Sequence, residues 1–235
     1  MMDSIAEIRR TEAQSHTQIY TDAELFEKGS WLYKPVQAVL GVLPLFDGYT
    51  SFHGLDLGCG VGRNCIPVAD YFKSIDCQIE GVDILPLAIE KLQENAVDYN
   101  VVDCIHGIVS SIDDYEIEAN TYDLILAISA LEHMNSEPAF VDKLHQIRDG
   151  LRNNGIAILL LNTNVQETDK YTGEKLQPQF EVNWNGDSLA TVFDEVFDGW
   201  RCLRHTTAHQ KYDVPRGEKI AILDTDVVVY TVQKA

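Results

Sequence analysis

Three glycines within five residues, Gly58-Cys59-Gly60-Val61-Gly62, separate the apolar run Leu55-Asp56-Leu57 from a segment of helical spacing that opens at Arg63. Glycine reaches backbone angles closed to other residues and carries no side chain, so Gly58 and Gly60 let a ligand approach the main chain. Amides at the opening of the following helix favour polar or anionic groups. Asp83 stands 21 residues past Gly62, at the end of the next apolar run. An acid at that point can accept hydrogen bonds from two ribose hydroxyls. A dinucleotide fingerprint, G-x-G-x-x-G, would also put glycine at position 63, where this chain has Arg63.

The side chain best placed for proton transfer is His133. It follows Tyr122–Ser129, a run apolar on both faces as a central parallel strand should be. Ligands of open parallel sheets bind beyond the carboxyl ends of the strands, so Ser129, Leu131 and His133 are expected to face the crevice. A histidine titrating near neutrality is a natural acceptor for a hydroxyl proton. The same position also suits a histidine that caps or lines the start of the next helix. His106, His145, His205 and His209 show no metal-ligand spacing, and the cysteines at 59, 65, 77, 104 and 202 form no C-x-x-C pair. No metal site is predicted.

Alternating strands and helices must position these groups. Leu55–Leu57, Ile79–Ile84, Val101–Ile108, Tyr122–Ser129 and Ile156–Leu161 read as successive strands, with helices over Arg63–Lys73, Leu85–Tyr99 and from Ser136, its cap, to Asn154-Gly155. Two closing strands, about Trp200–Tyr212 and Asp226–Gln233, follow a helix over Asp187–Phe197. The chain before position 51 reads as a polar, interrupted helical cap. In it, Thr21-Asp22-Ala23-Glu24 has the form of a capping box that opens a short helix ended by Gly29. The polar stretch 162–185 is too long for a simple connection and is expected to cover a site or to be mobile.

The string Leu55-Asp56-Leu57-Gly58-Cys59-Gly60-Val61-Gly62-Arg63-Asn64 resembles the first motif of class I S-adenosylmethionine-dependent methyltransferases. Its Arg63-Asn64 form is most similar to the small-molecule branch that includes the tellurite-resistance type enzymes. The resemblance implies an α/β, Rossmann-like sheet of seven strands in the order 3-2-1-4-5-7-6, the last antiparallel, with helices on both faces. It implies S-adenosyl-L-methionine as cofactor, S-adenosyl-L-homocysteine as product, and in-line methyl transfer to oxygen, nitrogen or a chalcogen of a small molecule.

Carried onto this chain, the motif puts the methionine portion at Gly58, Cys59 and Gly60, with Asp56 bracing the loop or the amino group. It puts the ribose at Asp83 and the adenine at Ile84, Ile108 and Val109. Ala127 and Ser129 close the cofactor side at the end of the fourth strand. Tyr20, Trp31, Leu131 and Asn162 are assigned to the acceptor pocket. Many members carry an acid at the end of the third strand that contacts the adenine amino group; here Ile108-Val109-Ser110 stands there and Asp113 is the nearest acid. Ile128-Ser129-Ala130-Leu131 replaces the N-P-P-Y or D-P-P-Y string of enzymes that methylate nucleobases or glutamine amides. The rival readings are a non-catalytic S-adenosylmethionine-binding sensor or scaffold, and a nicotinamide oxidoreductase. Arg63 and the closing antiparallel hairpin disfavour the latter.

A chain of 235 residues supports one sizeable α/β core, so a single domain over 1–235 is expected, with the cap over 1–50 and the core over 51–235. Its 37 acidic against 18 basic residues, a net charge of -19, would repel a phosphate backbone and argue against nucleic acid as substrate. The same charge favours solubility. The unpaired thiol pattern and the lack of a signal-like or membrane-length apolar run predict a cytoplasmic protein with no membrane contact. A monomer or homodimer is expected, and the resemblance implies a small-molecule acceptor.

Overall fold

The computed structural model describes residues 2–217 and 219–235. The elements are α1 (Met2–Asp22), α2 (Gln37–Val42), β1 (Ser51–Leu57), α3 (Cys65–Phe72), β2 (Asp76–Asp83), α4 (Pro86–Asp98), β3 (Ile105–Val109), β4 (Tyr122–Ile128), α5 (Glu137–Gly150), β5 (Leu151–Asp169), β6 (Lys175–Leu176), α6 (Gly186–Val196), β7 (Arg201–Arg216) and β8 (Lys219–Gln233). The sheet runs β3-β2-β1-β4-β5-β8-β7, with the two-residue β6 paired to β5. Leaving β6 aside, this is the expected order, and β8 runs antiparallel to both of its neighbours. β6 makes the sheet eight-stranded.

Every residue of β4 is buried: the apolar run 124–128 requires a strand covered on both faces, and Asp123 before it accepts from the His53 amide and from Arg152. One core cluster packs Phe46, Phe52 and Phe72 with α2, α3 and α4 on one face; the other packs Phe140, Leu144 and Phe193 of α5 and α6 on the opposite face. The Phe52 and Phe72 rings stack at 3.9 Å, and those of Phe193 and Tyr230 at 4.4 Å. The Ser136 hydroxyl accepts from the Ala139 amide at 3.3 Å, as a cap should. α5 ends at Gly150, earlier than Asn154-Gly155, because the chain passes directly into β5 at Leu151.

Two further sequence expectations change. The chain up to Asp22 is one continuous helix of 21 residues. Thr21 therefore closes a helix instead of opening one, its hydroxyl donating to the Thr17 carbonyl at 2.7 Å. A Ser/Thr side chain can satisfy a backbone group at either end of a helix, so the four-residue signature does not fix direction.

The second change concerns 162–185. Its first eight residues belong to β5, paired with β8 from Asn162↔Val227 to Asp169↔Ala221 across an irregularity between Thr163 and Gln166. Thr163, Val165, Glu167 and Asp169 point inward, alternating with more exposed neighbours. Three of these four are polar, so hydropathy conceals the period of two. Each of the three has partners: Thr163 donates to the Asp226 carbonyl, Glu167 accepts two bonds from Arg216, and Asp169 accepts from the Tyr171 and Thr172 amides.

The Glu167 side chain is 1% exposed and Arg216 13%. Removing one partner of such a pair strands a buried charge. Arg216→Met is expected to lower stability by about 3 kcal/mol, and Arg216→Met/Glu167→Gln to recover most of that. Urea unfolding of the three proteins tests this, and an unchanged midpoint in the single variant would contradict it.

Candidate functional site

The glycine turn leaves β1 under the control of β2. The amides of Gly58 and Cys59 both donate to the Val82 carbonyl, at 2.8 and 3.0 Å. Asp83 then holds the turn from the side: Oδ2 accepts from the Gly60 amide and Oδ1 from the Leu85 amide, both at 2.9 Å. Gly58, Gly60 and Gly62 all have positive φ. A Cβ on Gly58 would lie 2.5 Å from that of Ala130, and one on Gly60 2.7 Å from the Tyr20 hydroxyl oxygen. Backbone angle and space together require glycine at both positions.

A cavity of about 390 Å³ opens beyond the carboxyl ends of β1, β2 and β4. Gly58, Asp83, Ile84 and Leu85 form one side of it, and Ile128, Ser129 and Ala130 the base. Ser129 has φ of +52°, a strained conformation of the kind concentrated at functional sites. α1 forms the roof through Arg9, Ala13, His16 and Tyr20, joined by Trp31. His133, Asp113 and Glu181 supply the remaining wall.

The predicted residues divide accordingly. Gly58, Asp83, Ile84, Ser129, Tyr20, Trp31 and His133 meet at the cavity. Gly60 lies behind it against Tyr20, and Cys59 is buried with its sulfur facing Gly81. Ile108 and Val109 do not line the cavity; Ser111 and Ile112 do. The reason is that the Ser110 amide pairs with the Asp83 carbonyl at 3.0 Å, so the chain reaches the crevice only after leaving β3. Ala127 and Leu131 are fully buried in the core beneath α5 and α6. Asn162 is engaged elsewhere, donating from its side chain at 2.9 Å and from its backbone amide at 3.2 Å to Glu132.

Asp56 is buried below the turn, beside Arg63 and Cys65, away from the cavity lining. Burial pushes its carboxyl up to about 7, opposed by the Arg63 guanidinium. Burial also raises the Asp83 carboxyl, against the lowering effect of the Leu85 and Gly60 amides. Arg63 stacks on Trp31 at 4.4 Å and donates to its carbonyl at 3.1 Å, while Asn64 accepts from the Val36 amide at 3.0 Å. The Arg63-Asn64 pair thus ties the N-terminal cap to the core.

Sequence reasoning missed Arg9, Ala13, His16 and Glu181, and named Asp113 only as the acid nearest the end of the third strand. The first three share a helical stripe with Tyr20, at spacings of four, three and four, visible once α1 is known to be continuous. Arg9 joins the others: Nε donates to Glu181 Oε1 at 3.2 Å, and Nη2 to Asp113 Oδ2 at 3.0 Å and to the His133 carbonyl at 3.2 Å. No helix is long and apolar enough to cross a membrane, and no metal-binding cluster occurs among the described residues.

Residues 55–155 match the family described as methyltransferase domain. Two curated relatives are an ajmaline N-methyltransferase of Rauvolfia serpentina, 27% identical over 54% of this chain and 41% of its own length, and a ubiquinone biosynthesis O-methyltransferase of Rhodopseudomonas palustris, 28% identical over 62% and 47%. The chain spans less than half the length of these relatives. Among solved structures, TehB of Haemophilus influenzae is similar with a TM-score of 0.59 at 18% identity, covering 85% of this chain and 62% of that one. YcgJ of Bacillus subtilis gives 0.57 at 10% identity, covering 85% and 100%.

The raised Asp56 carboxyl has a consequence for stability. An acid that holds its proton to about pH 7 when folded, but releases it near its ordinary value of 3.8 when unfolded, makes the fold lose stability as pH rises between those values. The loss from this group is of order 4 kcal/mol, complete by about pH 7. Asp56→Asn is expected to flatten the decline of the melting temperature between pH 4 and 7. An equally steep decline in the variant would show that Asp56 is ionised in the fold throughout.

Proposed function

We propose that the protein is a class I methyltransferase that binds S-adenosyl-L-methionine and methylates a small molecule. The observation that carries this reading is the cradle at Gly58 and Gly60, which any Cβ would fill, with the Asp83 carboxylate fixed at its rim. Each oxygen of Asp83 accepts one amide and keeps a further lone pair. Those lone pairs suit the two hydroxyls of a ribose. Ile84, 53% exposed at the cavity, and Ile112 offer apolar surface to the faces of a purine.

Bound there, the sulfonium would supply an electrophilic methyl group. The chain's own contribution is to position the acceptor, exclude water and receive a proton. α1 and Trp31 cover the cavity and restrict the acceptor to a small compound; its volume lies near the lower end of the ~300–1,000 Å³ usual for ligand pockets. His133, which lines the same cavity as Asp83, is available to take the proton of a protic acceptor. The acidic composition and the small, roofed cavity support a small-molecule acceptor in preference to a nucleic acid.

Calorimetric titration with S-adenosyl-L-homocysteine tests the reading, with NAD as control. Micromolar binding of the former alone is expected, weakened roughly tenfold or more in Asp83→Asn, since a hydrogen bond to a charged group contributes about 1.5–3 kcal/mol. Circular dichroism checks that the variant is folded. Failure of the wild type to bind S-adenosyl-L-homocysteine would overturn the proposal.

A further inference from the structure

The segment that follows β6 reaches the cavity through Glu181 and is anchored on the extended part of β5 and on Glu132. The Asn164 amide donates to the Trp184 carbonyl at 2.9 Å, the Asn183 side chain exchanges two bonds with the Val165 backbone, and the Val182 amide donates to the Glu132 carbonyl at 3.0 Å. Held this way, Phe180 stacks on the His133 ring at 5.5 Å with an interplanar angle of 17°. The adjacent Glu181 places Oε2 2.9 Å from His133 Nδ1. The Glu181 side chain has no solvent exposure.

We propose that Glu181 is a positioning residue that orients His133 as proton acceptor for an oxygen nucleophile, so that the acceptors are phenols and other acidic hydroxyls. The inference rests on the methyltransferase reading above. A carboxylate facing Nδ1 selects the tautomer with the proton on Nδ1, which leaves the lone pair on Nε2. A neutral amine already presents a lone pair and needs no base to attack. A hydroxyl must lose its proton as it becomes a nucleophile, and an imidazole is matched to the more acidic hydroxyls.

The bookkeeping of charge agrees. The acceptor oxygen bonds to the methyl carbon as the carbon–sulfur bond breaks, sulfur retaining the electron pair. The hydroxyl proton passes to His133 Nε2, so one positive charge leaves sulfur and one appears on the ring. Among the described residues, the charged groups near the ring include Glu181, Glu132, Asp113 and Arg9, with Arg10 on the same cavity. Arg9 bridges Glu181 and Asp113, which leaves those three groups with one net negative charge beside the ring. Glu132, buried behind His133, has its carboxyl raised by burial and opposed by the His133 charge, while Arg10 lines the same cavity. The arrangement favours the imidazolium formed during transfer.

The experiment is an NMR titration of the histidine rings in wild type and Glu181→Gln, with His133→Gln to assign the signal, followed by addition of 4-nitrophenol to the S-adenosyl-L-homocysteine complex. The expected result is a His133 midpoint that falls by about one pH unit in Glu181→Gln. Bound 4-nitrophenol should show the phenolate absorbance at a pH where the free compound is protonated, and this should be lost in Glu181→Gln while S-adenosyl-L-homocysteine affinity stays within about threefold. The wild-type absorbance alone still tests the idea if the variant does not fold. His133 midpoints alike in the two proteins, or a phenol that is unbound or bound without ionising, would overturn it. Loss of S-adenosyl-L-homocysteine binding with the His133 shift intact would instead refute the methyltransferase reading.

Discussion

The bridge made by Asp83 is the contact on which the cavity depends. One carboxylate at the end of β2 accepts amides from Gly60 in the turn and from Leu85 before α4, and so sets the distance between the end of β1 and the start of α4. The positive-φ glycines make the turn tight enough for both bonds to form, and Ala130 and Tyr20 press on it from either side. Turn, acid and roof are one packed unit. A side chain added at Gly58 or Gly60 would disturb all three.

The opposite side of the cavity depends on charge. α1 contributes a stripe of Arg9, Ala13, His16 and Tyr20, and its Arg9 binds Asp113 from the loop after β3 and Glu181 from the segment after β6. Parts of the chain more than a hundred residues apart are thereby held at one point. Asp113 also accepts from the Asn135 amide at 3.1 Å, tying the turn after β4 into the same network. Because Arg9 is 32% and His133 29% exposed while Glu181 is not, the network runs from solvent to the buried Glu181 carboxylate.

Most of the core was legible in the chain. The apolar run of β4, the helical stripe of α5 and the turn between β1 and α3 carry their structure locally, through burial on two faces, a period of 3.6 and backbone angles reserved for glycine. The extension of β5 was not legible. Thr163, Glu167 and Asp169 occupy the inward positions of a strand, yet each is polar and is made tolerable only by partners at Asp226, Arg216 and the Tyr171–Thr172 turn. Leu131 and Asn162 show the same limit. Their place at the ends of strands suggested the crevice, but one turns into the core and the other is occupied by Glu132.

The residues in order thus determined the sheet, the glycine turn and Asp83, since those follow from hydrophobic period and local backbone geometry. They also determined that His133 would stand at the carboxyl end of the central strand. Only the tertiary structure decided that Glu181 faces its Nδ1, that Arg9 lies between Glu181 and Asp113, and that Ser111 and Ile112 replace Ile108 and Val109 at the cavity. The physical reason is that apolar periodicity records which face of an element is buried, whereas a polar side chain takes its role from a partner that folding brings from elsewhere.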